Sequence, residues 1–181
     1  MEKAIKSRRA VLAAFGAFAA GLLAVPANAV ETAQSLPPGM AAGLRFRAIK
    51  VDVAPLAQDA GGPTAGWMAQ ALPGPLQTAF SSRIAPGDRA APTLVVRIDR
   101  VFLGVSDNGE VGPTAASEAR DNVEGAGVVV APDGRTLGVY PLFTTLNNFT
   151  GGSNFEMGTE QRRVDELAKS FAYWLPGQMG L

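Results

Sequence analysis

Asp52 and Asp99 are the residues whose type and placement could do chemistry. Each lies in a run of strand-forming residues. Paired carboxylates on neighbouring strands are the machinery of glycoside hydrolysis, one acting as acid and the other as base or nucleophile. The chain has no His and no Cys, so acid/base work would fall to carboxylates, Lys or Tyr. Yet both aspartates alternate with apolar residues, in Lys50-Val51-Asp52-Val53 and Arg97-Ile98-Asp99, as charges do on any half-solvated sheet. The structural reading carries more weight, and no catalytic residue is assigned.

Other chemistry has less support. Without His or Cys, the usual zinc sites, thiol nucleophiles, haem ligation and Ser-His-Asp triads each lose a required residue. Gly125-Ala126-Gly127 resembles the start of a dinucleotide fingerprint, but Val130 stands where the third Gly belongs. The segment reads instead as a strand whose glycines allow close packing or a bulge. Asp107-Asn108-Gly109-Glu110 lacks the ligand spacing of a calcium loop. No G-x-S-x-G, P-loop or H-E-x-x-H pattern occurs, nor S-x-x-K beyond residue 29. No cofactor and no metal ligand are expected. Trp67 and Trp174 fall on apolar stripes at helical spacing, which predicts core packing rather than ligand stacking.

The first 29 residues carry a different message. Lys3, Lys6, Arg8 and Arg9 precede an Ala/Gly/Leu-rich run from Ala10 to Val25, and Pro26-Ala27-Asn28-Ala29 follows. A basic start, a short apolar core and small residues at Ala27 and Ala29 form an export signal, cut after Ala29. Ser7-Arg8-Arg9-Ala10-Val11-Leu12 resembles the twin-arginine consensus. A general secretory signal and an uncleaved anchor are the alternatives, although the apolar run falls short of the roughly 20 residues that a bilayer span needs. No Cys follows the cleavage site, so no lipid anchor and no stable membrane tether are expected. The expected product is soluble and periplasmic.

Residues 30–43 are rich in Pro, Ala and Gly and read as a flexible leader, and 44–181 as one domain. Four of the 16 basic residues and one of the 16 acidic ones lie in the signal, which leaves 12 against 15 and a formal charge of about −3. That balance argues against nucleic-acid binding, which needs clustered positive charge.

The residues from Leu44 to Ala54 predict a first strand, with a parity slip at Ala48-Ile49 that implies a bulge or burial on each face in turn. Pro55 closes it, and Gln58–Pro63 reads as a loop. Leu72, Leu76, Phe80 and Ile84 repeat at i+4. With Pro73 and Pro75 in the way, a turn around Trp67–Ala71 should give way to a helix starting near Pro75. Thr93–Gly104 is the clearest strand, with Leu94, Val96, Ile98 and Phe102 facing one way. Ser106–Asn122 reads as a long polar loop. Val123–Ala131 and Arg135–Thr145 flank Pro132-Asp133-Gly134, a tight-hairpin signal. Asn147–Gly158 is a further loop, holding the sequon Asn148-Phe149-Thr150. A last helix runs from Thr159, as N-cap, to Leu175. Its apolar stripe is Val164, Leu167, Ala168, Phe171, Trp174 and Leu175, its polar side includes Arg162 and Arg163, and Pro176-Gly177 stops it.

The resulting order, β-α-β-β-β-α, predicts an α+β two-layer sandwich with two helices on one face of a mixed four-stranded sheet. The first two strands should be parallel through a right-handed crossover and the rest an antiparallel meander, and the other sheet face, with Arg45, Arg47, Arg97 or Asp99, should be solvated or used for contact. This order behind an export signal, over about residues 44–175, resembles a group of small envelope accessory proteins. The group includes the lipopolysaccharide-assembly lipoprotein, penicillin-binding-protein activators and auxiliary components of ABC-type lipid transporters. The resemblance lies in element order and transfers no functional residue, and the chain departs from those lipoproteins in having no lipobox Cys. It implies a non-enzymatic module that binds a protein partner in the cell envelope. A small-ligand or lipid-binding protein with a cleft under the two long loops, and a carboxylate-dependent glycan hydrolase, are the alternatives. The oligomeric state stays open.

Overall fold

The computed structural model describes residues 43–59, 63–104, 120–147 and 158–181. Four strands form one mixed sheet in the order β1-β2-β3-β4: β1 Ala48–Asp52, β2 Thr93–Phe102, β3 Arg120–Val130 and β4 Thr136–Asn147. As expected, β1 and β2 are parallel, and β2-β3-β4 is an antiparallel meander. Three short helices make the crossover, α1 Ala54–Asp59, α2 Thr64–Ala71 and α3 Pro73–Ala79, and a long helix α4, Thr159–Gln178, ends the chain. These helices and one sheet face share the main core, so the fold is the α+β sandwich that the element order predicts.

The slip at Ala48-Ile49 has a structural cause. Phe46 bridges in parallel to Ile84, whereas Ala48 onward pairs with β2. Between them the chain bends at Arg47, so Phe46 and the odd-numbered Ile49 and Val51 all join the core. Pro55 does close the strand, but it opens α1 rather than a loop, and the Ala54 N–H donates to Asp52 Oδ1 at 3.0 Å. Helix α2 occupies the place of the expected turn. Pro73 starts α3 as its first residue, where a missing N–H costs nothing. Leu72, Leu76 and Phe80 are fully buried along the i+4 stripe, and Phe80 meets Phe46 edge-to-face at 5.8 Å between centroids. Ile84 leaves the stripe for its bridge, after a 3-10 turn at Ser81–Arg83.

In β2 the alternation breaks once. Asp99 is the extra residue of a bulge, with Ile98 opposite Gly125 and Arg100 opposite Glu124. A one-residue insertion swaps the faces beyond it. Val101 and Leu103 therefore pack against the core, and Phe102, predicted to lie with Leu94, Val96 and Ile98, is 52% exposed. Gly125 makes the bulge possible, since a Cβ there would collide with the Arg97 carbonyl. Gly127 leaves room for α4, where an added Cβ would lie 3.1 Å from Leu175 Cδ1. The two glycines are strand-packing residues.

Strand β3 begins at Arg120, so Arg120, Asp121 and Asn122 belong to the sheet and not to the polar loop. The Pro132-Asp133-Gly134 hairpin forms as predicted. Gly134 takes φ +88°, its N–H reaches the Ala131 carbonyl at 3.0 Å, and the Ala131 N–H reaches the Arg135 carbonyl at 2.8 Å.

Helix α4 corrects three expectations. Gly158, at φ +85°, precedes it, and Thr159 is its buried first residue rather than a cap. Pro176 sits inside the helix, which runs on to Gln178. Only one turn follows it, and the Met179 N–H still closes onto the Leu175 carbonyl at 3.0 Å, with both side chains buried. Arg163, placed on the polar side, is buried among the core-facing residues. The outer sheet face is apolar in part. Ala126, Val128 and Val139 form a second apolar cluster there with Val95 and Val130, because β3 is apolar on both faces from Ala126 to Val130.

Candidate functional site

The two aspartates singled out by type end up around one arginine. Asp52 is the cross-strand partner of Arg97, and the Arg97 guanidinium binds Asp99 at 2.7 Å. Each carboxylate has a structural task. Asp52 holds the start of α1, and Asp99 neutralises Arg97, whose side chain is only 7% exposed. Arg8, Arg9, Ala27 and Ala29 lie outside the described residues. So do the sequon and most of the two polar loops, residues 105–119 and 148–157.

Where those loop segments depart, the structure holds a buried ion pair. Arg163 Nε donates to Asp121 Oδ2 at 2.8 Å, a second guanidinium N–H bonds Oδ1, and the same nitrogen reaches the Gly104 carbonyl at 2.6 Å. The Gly104 N–H returns to Asp121 Oδ1 at 3.0 Å. Planar, two-pronged pairing suits a buried arginine because both charges gain full hydrogen bonding. The pair ties α4 to the end of β2 and the start of β3. The hydrogen bonds run within the cluster, which makes it a clamp between these elements.

The surface best suited to binding is the free edge of β4. It has 12 residues, Thr-Leu-Gly-Val-Tyr-Pro-Leu-Phe-Thr-Thr-Leu-Asn, and none is charged. Among the described residues, no strand pairs beyond it. Sheet edges are normally blunted by charges, prolines or shortness, and the opposite edge follows that rule, with β1 only five residues long and Lys50 exposed at its centre. On β4 the blunting is confined to Pro141, which has no N–H and whose carbonyl accepts from Gln178 Nε2 at 2.9 Å. Among the described residues, the edge beyond Pro141 is open.

A groove of about 530 Å³ runs along this edge, between residues 142–145 of β4 and Trp174, Gly177 and Gln178 of α4. Phe143 pairs with Glu124 and so stands on the outer sheet face, 60% exposed. Trp174 stands on the helix side at 56%, edge-to-face with Tyr173, itself 72% exposed. The groove thus has an aromatic residue on each side and no charge along it. Thr144 lies in its floor, with a buried hydroxyl that finds no hydrogen-bond partner among the described residues.

No protein-family profile matches this sequence, and no curated protein does. Any function must therefore be argued from the geometry. Trp174 was expected in the core. It sits about 100° round the helix from Leu175, at the border of the buried stripe, and near the sheet's edge that border meets solvent. The uncharged run from Thr136 to Asn147 was the signal that could have pointed here, had its place at an edge been known. Two exposed ion pairs outside the groove shift their own members. The Arg135 side chain lowers Asp133 and is itself raised, and Glu166 raises Lys169.

Proposed function

We propose that this protein is an exported, non-enzymatic accessory module of the cell envelope that works by binding a partner protein. The observation that carries the reading is the uncharged β4 edge beside Phe143, Trp174 and Tyr173. Edges of this kind take an extended segment of another chain, with main-chain hydrogen bonds supplying affinity and flanking side chains selecting the sequence. Exposed aromatics are the residues most often responsible for interface energy. The export signal and the element order that resembles envelope accessory proteins supply the location. The test is co-purification of the protein from its own periplasm, read by mass spectrometry of both proteins and small molecules. A reproducible protein partner, lost in a Trp174→Ala variant that still folds, is the expected result. Recovery of no partner would overturn the reading.

A second reading has one observation in its favour. At about 530 Å³ the groove falls within the range of small-molecule sites, roughly 300–1,000 Å³. A small molecule recovered in place of a protein in the same experiment would favour it.

A further inference from the structure

We propose that the β4 edge pairs with itself: two copies of this chain join antiparallel through residues 143–145 about a twofold axis, and their sheets become one of eight strands. The proposal rests on β4 being the contact edge; the second copy takes the place a partner's segment would take, so the dimer and the partner complex exclude each other.

Charge is the first argument. A twofold axis sets a strand against its own sequence, so every charge on it approaches a copy of itself or of a near neighbour. Like charges opposite one another weaken strand pairing. Strand β4 has no charge in 12 residues, so self-pairing meets no such opposition.

The backbone then selects the register. Alternate residues of an antiparallel strand direct their N–H and C=O groups to the same neighbour. Pro141 is tolerated because it points away from β3, where no N–H is needed. Phe143 and Thr145 share its parity and so present their backbone groups at the open edge. Pro141 itself offers no N–H, and Gln178 already occupies its carbonyl. A pairing that asks no hydrogen bond of it sets Phe143 opposite Thr145 of the second copy and Thr145 opposite its Phe143, with the axis at Thr144. That arrangement closes four main-chain hydrogen bonds.

Side chains complete the interface on both faces. Phe143 covers the new pairing on the outer side, and Trp174 and Tyr173 of the two α4 helices approach across the axis on the helix side. The assembly also closes. Its remaining edges are two copies of β1, short and carrying Lys50, so the pairing yields a dimer and not a filament.

Sedimentation equilibrium of the purified protein over a wide concentration range tests this, with intrinsic tryptophan emission as the second readout. The expected result is a monomer–dimer equilibrium in which Trp174 emission shifts to the blue as dimer forms. Because the interface is uncharged, raising the salt should leave the dissociation constant within about twofold. Thr145→Pro removes an edge N–H at an exposed position, and Phe143→Lys introduces a charge that lies diagonally across the axis from its copy. Each should weaken the dimer about tenfold or more, with the monomer's circular dichroism unchanged. Phe143→Lys keeps the test valid if the proline variant does not fold. A monomer at all concentrations, or a dimer unaffected by both substitutions, would overturn the proposal. Failure here is distinct from failure of the binding function, since a monomer that still recovers its envelope partner leaves that function standing.

Discussion

Arg163 and Asp121, 42 positions apart, meet as a two-pronged ion pair in the protein interior, with side-chain exposures of 9% and 5%. The Gly104 amide and carbonyl close the network, so α4, the end of β2 and the start of β3 meet at one polar point. Removing one member leaves the other charge buried and uncompensated. Asp121→Ala or Arg163→Met should each cost about 3–5 kcal/mol of stability in urea denaturation. The double variant should cost clearly less than the sum, because no lone charge remains. Additive losses would show that the two residues act independently.

Gly125 and Gly127 share a strand but should tolerate a methyl group unequally. At Gly125 the obstacle is the Arg97 backbone carbonyl, which cannot move without opening the bulge. At Gly127 it is the flexible ends of Leu175, Leu94 and Met179, at 3.1 to 3.5 Å. Gly125→Ala should therefore destabilise by roughly 3 kcal/mol or more, and Gly127→Ala by about 1 kcal/mol, within the range for overpacked interiors. Thermal unfolding of the two variants checks the order.

Thr144 carries a buried hydroxyl that finds no hydrogen-bond partner among the described residues. Thr144→Val keeps the shape and removes the polar atom, so it should be neutral or stabilising by up to about 1 kcal/mol. A clear loss of stability would reveal that the hydroxyl is satisfied in solution.

The export reading makes its own prediction. Replacing Arg8 and Arg9 with lysines should abolish appearance of the processed protein in the periplasm, as judged by fractionation and immunoblot. Undiminished export would remove the twin-arginine assignment and leave a general secretory signal.

Much of the architecture was legible because its signals are local. Turn chemistry at Pro132-Asp133-Gly134, the i+4 stripe Leu72-Leu76-Phe80 and the β-branched run of β2 each report on a few consecutive residues, and the structure agrees with all three. The expected turn at Trp67–Ala71 was an error of weighting, since Pro73 ends one helix there and starts the next without disrupting either. The aspartates were selected by residue type and by their place in adjacent strand candidates, and neither reveals that Asp52 holds the start of α1 or that Asp99 is the counter-ion of Arg97.

By itself the sequence determined the order of the four strands and the last helix, the hairpin and the i+4 stripe, and it offers no histidine or cysteine. Periodicity within an element says which residues share a face. It cannot say what that face meets, because that depends on residues tens of positions away. Only the tertiary structure decided that the Asp99 bulge turns Phe102 outward and that Arg163 finds Asp121 inside the fold. It also decided that uncharged β4 lies at the sheet's edge with Trp174 beside it.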